Sequence, residues 1–402
     1  MTTSTMKANL ADFTIRIANH DQEIQHAKAG YVHWKKDSTF EQFWQTYRRE
    51  RDASPWSTGK RLVTWALVRR DDPDGELYAG CETYLRKGLV KHVDSDQVED
   101  TYIYGIASVV TPDKHYRNGY ATRLLSLLHH RLSSLPTPSS YSGDIDALPI
   151  PSDIPLPEAI GSILWSDIGS TFYSRCSSSS ERQGWVVEDS LNMELYWKLF
   201  PPQFQEEAKE LDKGWKWIYL NDLPDISEKL SVSAKKRLED IDTSEKAVFM
   251  NNPSSEGTLD FVPLKGIWQR SLISDPEPVG LRYVPSEGGS ENKEETIILF
   301  SGKMINIGDK LLITYIENFV PSQMEAVLKA LDIIGHKAGQ SQGWIWDISP
   351  SSELVKAWQG LEGREVQIGR KKEIDGHLLG VAWYGDLQEK GKMIDGQMWS
   401  WC

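Results

Sequence analysis

Runs of apolar residues divide the first half of the chain into strands and helices. An apolar and polar alternation, or a short continuous apolar run, predicts a strand, whereas apolar residues that recur every three to four positions predict a helix. The strands predicted in this half are 14–17, 62–68, 77–85, 102–110, 161–166 and 185–188. The predicted helices are 21–32, 39–49, 120–132 and 170–175.

The second half continues this mixture without a visible residue-level repeat. Its predicted strands and helices, in chain order, are a charged helical connection at 201–211, strands 296–300 and 311–317, helix 322–338, strand 343–348, helix 352–360 and strand 378–383. At 402 residues the chain exceeds what one hydrophobic core usually supports. We therefore predict two α/β domains, 1–200 and 201–402, with a proline- and serine-rich surface insertion at 135–158.

Composition narrows the class of protein. The opening segment lacks the apolar run of a signal peptide, and no apolar stretch reaches the roughly 18 residues that span a bilayer. We expect a soluble, cytoplasmic protein. The three cysteines, Cys81, Cys176 and Cys402, are too scattered for a disulfide framework or a zinc motif, so no metal is expected. A net charge of −13 argues against nucleic-acid and anionic-membrane partners.

A glycine turn between strand 102–110 and helix 120–132 has the features of an anion site. Backbone N–H groups at a helix N-terminus have no intrahelical partner, and the helix dipole favours a negative charge there. Gly119 lets an anion approach the backbone, Ala121 avoids a bulky side chain, and Arg117 adds positive charge. Taken alone, the turn is typical both of a diphosphate site and of a purely structural connection between strand and helix.

The chain resembles the GNAT superfamily of N-acetyltransferases around this turn. Residues 106–112 read IASVVTP and residues 120–125 read YATRLL, similar to the family's strand, R/Q-x-x-G-x-G/A turn and leucine-rich helix. Tyr116 stands where the family has Arg or Gln, with Arg117 one place later. The resemblance implies a GNAT fold, which is a mixed, mostly antiparallel central sheet flanked by helices. A second α/β domain follows, for which a degenerate GNAT-like half is one interpretation. We expect this domain either to close the substrate groove, with tryptophans such as Trp344, Trp346 and Trp383 in the lining, or to serve as a structural partner.

The resemblance implies acetyl-CoA as the acetyl donor. In GNAT enzymes the fourth strand separates from the fifth, and its exposed backbone amides hold the pantetheine and polarise the thioester carbonyl. The remaining amides lie at the glycine turn and hold the pyrophosphate. The implied cofactor-binding residues are Ser108, Val109, Val110, Arg117, Asn118, Gly119, Tyr120, Ala121 and Thr122.

Two side chains are candidates for catalysis. Tyr173 matches the family's tyrosine that protonates the departing thiolate, and Gly184 and Trp185 follow it after a longer spacing than usual. Its alternative role is packing on the sheet. Glu82 alternates with apolar strand neighbours and is expected to face a groove, where a carboxylate serves as a general base, as an anchor for an ammonium group, or simply as a solvated side chain.

The acceptor is less defined than the donor. The strings at 81–83 (CET) and 164–169 (LWSDIG) resemble a fungal group that includes a lysine N6-acetyltransferase of lysine catabolism. We therefore expect transfer to the amine of a small molecule by direct attack in a ternary complex, with free L-lysine the first candidate. The alternatives are a protein, polyamine or secondary-metabolite acetyltransferase and a catalytically silent acyl-CoA-binding or interaction module. The oligomeric state is left open.

Overall fold

The computed structural model describes residues 9–35, 38–133, 148–177, 182–201, 211–268, 277–285, 294–302 and 310–402. Most of the predicted insertion 135–158 and of the predicted connection 201–211 lies outside these residues. The elements of the first half are β1 (Phe13–Ile17), α1 (His20–Trp34), α2 (Phe40–Ala53), β2 (Leu62–Arg69), β3 (Ala79–Lys91), β4 (Val98–Val110), α3 (Tyr120–Leu132), β5 (Gly161–Ile168), α4 (Thr171–Ser174), β6 (Val186–Val187) and β7 (Met193–Lys198).

The second half has the same mixed character. Its elements are β8 (Trp215–Ile218), α5 (Leu223–Glu239), β9 (Ala247–Asn251), α6 (Phe261–Trp268), β10 (Gly280–Tyr283), β11 (Thr296–Ser301), β12 (Lys310–Glu317), α7 (Met324–Lys337), β13 (Gln342–Trp346), α8 (Glu353–Gln359), β14 (Gln367–Arg370), β15 (Ile374–Trp383) and β16 (Gly391–Met393). Among the described residues, none of these helices is long and apolar enough to cross a membrane.

The first sheet is mixed and mostly antiparallel, as predicted. Its strands run in the order β1, β2, β3, β4, β5, β15 and β6, and β9 joins the far end of β3 with β16 beside it. The pairs β4 with β5 and β9 with β16 are parallel, and the other pairs are antiparallel. The second sheet has the order β14, β7, β13, β12, β11, β10 and β8. Two α/β layers are therefore present.

Two strands join the sheet of the opposite half of the sequence. We assigned the predicted strand 378–383 to the second unit, and this was wrong, because β15 pairs with β5 in the first sheet. β7 lies before residue 200 but pairs with β13 and β14 in the second sheet. The apolar patterns of these strands fit either sheet, because such a pattern shows which residues are buried but not which strand they pair with. That residues 1–200 and 201–402 are separate domains remains a prediction.

The first sheet packs against α3 on one face and against the second sheet on the other. On one face, Cys81 of β3 and Leu164 of β5 pack against Leu124 and Leu128 of α3. On the other face, Tyr84 of β3 belongs to the apolar cluster that contains Trp344 of the second sheet, and Trp165, the residue after Leu164 on β5, packs against it. The helix α3 has the predicted bounds. Its apolar stripe holds it over the strands that form the candidate site.

Candidate active site

One large cavity connects the glycine turn with the face of the second sheet. Its volume is about 1860 Å³, and it passes along the ends of β4 and β5. The predicted site residues that line it are Glu82, Ser108, Val109, Val110, Arg117, Gly119, Tyr120, Ala121, Thr122 and Tyr173. Asn118 lies within the same turn but is not part of the lining. The structure therefore brings nearly all of the predicted residues to one space.

The cavity enters the first sheet where two parallel strands separate. β4 and β5 pair only from Ile103 with Gly161 to Ile106 with Leu164, although both strands continue. Beyond Ile106, the register of β4 against β3 shifts, and Ser108 takes a left-handed conformation with φ of 52°. Such a bulge bends a strand and ends its pairing on one side. The residues Ser108 to Val110 thus form one edge of an opening in the sheet.

Buried polar groups hold the bulge at Ser108. The Ser108 hydroxyl donates to Glu82 Oε2 at 2.7 Å, and its carbonyl oxygen lies 2.9 Å from His26 Nε2. The guanidinium of Arg51 donates to Glu82 Oε1 and, at 2.7 Å, to the Thr64 hydroxyl. A left-handed residue that is not glycine costs free energy, so it persists only where surrounding contacts fix it. Here the contacts come from α1, α2, β2 and β3.

The environment of Glu82 determines what its carboxylate is able to do. Burial acts to raise the pKa of Glu82, but the Arg51 charge and the hydrogen bonds from Ser108 and Arg51 outweigh it and lower the pKa to about 2. Tyr84 also donates to the same carboxylate at 3.3 Å. The side chain belongs to the cavity lining, but it is buried and both carboxylate oxygens accept hydrogen bonds. A carboxylate in this state is a weak proton acceptor.

The glycine turn leaves the start of α3 without a capping side chain. Gly119 is the N-cap residue, with φ of 81° and no side-chain hydrogen bond to the first turn. Its own carbonyl accepts from Arg123, so the helix begins there. Arg117 is also left-handed, with φ of 63°, and Asn118 closes the turn by donating to the carbonyl of Tyr116. The first N–H groups of α3 therefore remain available beside the cavity.

Tyr120 and Tyr173 contribute in different ways. The Tyr120 ring is buried against Phe13, with ring centroids 4.8 Å apart, so its backbone rather than its hydroxyl belongs to the turn. Tyr173 lies on α4, packs edge-on against Phe172 and also lines the cavity. Burial raises the pKa of Tyr173, and the nearby Cys176 and Asp167 raise it further. The phenol accordingly keeps its proton at neutral pH.

The far wall of the cavity comes from the second sheet, where the sequence analysis expected tryptophans such as Trp344 but did not identify Tyr196, Glu194 or Lys310. Tyr196 of β7 and Trp344 of β13 stack with centroids 5.4 Å apart and an interplanar angle of 11°. Both donate to the carboxylate of Glu194, at 3.0 and 2.9 Å. Lys310 of β12 places its ammonium 4.6 Å from the Trp344 ring centroid. The abundance of tryptophan was the only signal, and it did not show which rings meet.

When this protein is compared with known proteins, the matches are to solved structures and not to sequences or family models. No protein-family model matches the chain, and no curated protein matches it by sequence. A probable N-acyltransferase from Enterococcus faecalis has a TM-score of 0.47 and 9% identity, covering 92% of this chain and 73% of its own. GCN5-related N-acetyltransferases from Kribbella flavida and Anabaena variabilis both have a TM-score of 0.44 with this structure, and each match covers 93% of this chain. The Kribbella flavida protein is 12% identical and is covered over 72% of its own length, and the Anabaena variabilis protein is 14% identical and is covered over 73%.

The ion pair between Arg51 and Glu82 predicts a specific dependence of stability on pH. The folded-state pKa of Glu82 lies below its ordinary value, so its contribution is present above that value and is lost as the pH falls towards about 2. Glu82→Gln leaves the buried Arg51 charge with the Glu23 carboxylate at 3.7 Å as an ion-pair partner, and should lower the free energy of unfolding at neutral pH by up to about 3–5 kcal/mol. Urea unfolding from about pH 7 to about pH 3 should show this deficit shrinking.

The control for this prediction is Glu245→Gln, at an exposed turn position. Its free energy of unfolding should stay within about 0.5 kcal/mol of the wild type. A deficit in Glu82→Gln that is the same across the whole pH range would mean that the wild-type carboxylate is not ionised against Arg51.

Proposed function

We propose that this protein is an acetyl-CoA-dependent N-acetyltransferase that acts on the amine of a small molecule, with free L-lysine the first candidate. The observation that carries the proposal is the opening between β4 and β5 beyond Ile106. It connects the uncapped start of α3 with the aromatic wall of the second sheet through one cavity. A thioester bound on one side of the sheet would thereby meet an acceptor that enters from the other side.

The residues of the donor side fit acetyl-CoA. Three N–H groups at the start of α3, those of Tyr120, Ala121 and Thr122, have no intrahelical partner and suit a pyrophosphate. Arg117 adds a positive charge at the same turn. The separated edge of β4 offers backbone groups that none of the described strands occupies on the β5 side, which suits the amides of a pantetheine arm. When bound, acetyl-CoA supplies an activated acetyl group.

The side chains have separate roles in this proposal. Backbone N–H groups of Ser108 to Val110 polarise the acetyl carbonyl, because fixed donors stabilise the negative charge that develops on its oxygen. The Tyr173 phenol holds the proton that the leaving sulfur takes up. Glu82 keeps Ser108 in its bulged conformation through the hydrogen bond to the hydroxyl. Its low pKa favours this organising role over that of a base.

The acceptor side suits a compact molecule with charges of both signs. The rings of Tyr196 and Trp344 give it an apolar surface, and the Glu194 carboxylate lies against them. Among the described residues, Lys310 has no carboxylate within 4 Å of its ammonium, and burial lowers its pKa although the Glu194 charge acts to raise it. An unpaired ammonium favours a carboxylate on the ligand. Free lysine carries this carboxylate together with an amine, which supports it as the first acceptor to test.

The pyrophosphate position is tested by Ala121→Glu and its neutral control Ala121→Gln. Both variants add similar bulk at the start of α3, and only the first adds a negative charge. Because like charges at close range cost several kcal/mol, Ala121→Glu should weaken acetyl-CoA binding by about 100-fold or more in calorimetry. Ala121→Gln should lose less than about tenfold. Unchanged affinity in a folded Ala121→Glu would contradict a diphosphate site at this turn.

The transferase activity is tested by incubating the protein with acetyl-CoA and a mixture of amines. Mass spectrometry should detect an N-acetylated product, with lysine among the acceptors. Tyr173→Phe removes only a hydroxyl that makes no hydrogen bond within the described residues, so folding and acetyl-CoA affinity should be retained while kcat falls by about 100-fold. Acetyl-CoA binding without any acetylated amine would favour a silent binding module. Wild-type kcat in Tyr173→Phe would contradict the role of this phenol.

A further inference from the structure

A distorted segment at the start of β15 lies beside the end of β5. The register runs from Leu378 opposite Ser166 to Ile374 opposite Ile168, with an irregularity between these pairs. Within the irregularity, Asp375 and His377 are left-handed, with φ of 55° and 50°. Neither residue was identified in the sequence analysis. Left-handed residues other than glycine often mark positions where the backbone serves to direct a side chain.

Asp167 fixes the orientation of His377. The ring nitrogen Nδ1 lies 2.8 Å from Asp167 Oδ1, and the backbone N–H of His377 donates to the same oxygen at 3.2 Å. The two contacts hold the ring and its backbone together. A carboxylate on Nδ1 selects the arrangement in which Nε2 is the nitrogen that remains for a ligand. Nε2 has no hydrogen-bond partner among the residues that the structure describes.

The ring of His377 is enclosed by tryptophans but belongs to the cavity lining. Its centroid lies 5.7 Å from those of Trp346 and Trp401 and 6.3 Å from that of Trp344. The imidazole is 16% exposed, whereas its partner Asp167 is 45% exposed. Both side chains line the cavity. The aromatic surroundings limit the ring's movement, so Nε2 is held in a fixed position.

The histidine stands at the edge of the opening in the first sheet. Asp167 follows Leu164, the last residue of β5 that pairs with β4, so it lies on the separated part of β5. Along β5 it shares a face with Trp165, which packs towards the second sheet. The opposite edge of the opening is formed by Ser108 to Val110 of β4. His377 and Asp167 are therefore on the acceptor side of the same opening.

We propose that His377 is the catalytic base that takes a proton from the acceptor amine, and that Asp167 is its positioning residue. This inference rests on the proposed acetyltransferase function. It gives the second half of the chain a defined task, because β15 supplies the base to a site built on the first half. It also accounts for the engaged state of Glu82, whose carboxylate is paired with Arg51 and has a pKa of about 2.

His377, Tyr173 and water together account for every proton that moves during the transfer. His377 Nε2 takes one proton from the ammonium and later releases it to water. The neutral nitrogen forms a bond to the acetyl carbon, and the carbon–sulfur bond breaks with its electron pair on sulfur. Tyr173 gives its proton to that sulfur. The second proton, which the nitrogen loses as the amide forms, restores the phenol directly or through water.

Several other charges surround this histidine. On its own segment, Lys371 donates to the His377 carbonyl at 3.2 Å, and Lys372 and Asp375 line the cavity. The second sheet contributes Glu194 and Lys310. Burial lowers the pKa of Lys371 to about 7, against the opposing effects of Glu194 and Asp347. Asp167 is the carboxylate in direct contact with the ring, so its removal should have the largest effect on the orientation of the imidazole.

The first test replaces His377 with Asn or Gly. Both residues accept a left-handed conformation, and Asn retains a hydrogen-bond donor for Asp167. In each variant kcat should fall by about 10²- to 10⁴-fold for lysine, with acetyl-CoA affinity unchanged in calorimetry. The loss in His377→Asn should be much smaller for an amine of low basicity, because that acceptor is already neutral. His336→Asn, at an exposed position of α7, is the matched control and should be fully active.

Chemical rescue distinguishes a catalytic role of the His377 imidazole as a base from a structural role in packing. Added imidazole should restore part of the kcat of His377→Gly, whereas pyrazole, a ring of the same size and much lower basicity, should not. Equal rescue by both compounds, or wild-type kcat in His377→Asn, would overturn the role of His377 while leaving the transferase function intact. A wild-type protein that acetylates no amine would overturn the proposed function and this inference with it.

A readout without acetyl-CoA tests Asp167. The imidazole NMR signal of His377 is identified by its loss in His377→Asn. In Asp167→Asn this signal should shift and the Nδ1–H should exchange faster with water, because the carboxylate that accepts its hydrogen bond is gone. With lysine as the acceptor, kcat should fall while acetyl-CoA affinity is retained. An imidazole signal and a kcat that both coincide with those of the wild type would overturn the positioning role.

Discussion

The arrangement of the whole molecule depends on the point where β4 and β5 stop pairing. After Ile106 and Leu164 the two parallel strands separate, and the left-handed Ser108 prevents β4 from continuing alongside β5. Its conformation is held by Glu82 and His26, and Arg51 neutralises the buried carboxylate. Without these contacts, the edges of both strands would be expected to pair, since unpaired backbone groups inside a sheet are costly. The opening, and therefore the cavity, follows from this local network.

The exchange of strands gives the opening its second side. β7 carries Glu194 and Tyr196 into the second sheet, whereas β15 leaves the second half of the sequence to pair with β5. As a result, the aromatic wall and His377 both line the cavity that also contains residues of β4, α3 and α4. Both halves of the chain therefore contribute to its lining. In the proposed function, the donor and acceptor sides have separate structural origins.

The sequence predicted the local features of the site better than the distant ones. The apolar stripe of α3 and the glycine turn before it are encoded by residues that are close in sequence. The structure has this helix with the predicted bounds, and Gly119 stands at its start. The sheet to which 378–383 belongs depends on pairing between distant strands, which an apolar run does not specify. His377 was missed for the same reason, because its partner Asp167 is remote in sequence. Alternation predicted that Glu82 faces a groove, but it could not reveal that the carboxylate is buried and paired with Arg51.

In the proposed function, the separated edge of β4 and the start of α3 form a single binding surface for coenzyme A. Backbone amide NMR of the protein during titration with coenzyme A tests this surface directly. The amide signals of Ser108 to Val110 and of Tyr120 to Thr122 should shift together and saturate at the same ligand concentration, while those of α7 stay in place. Shifts confined to other parts of the chain, or none at saturating coenzyme A, would contradict it.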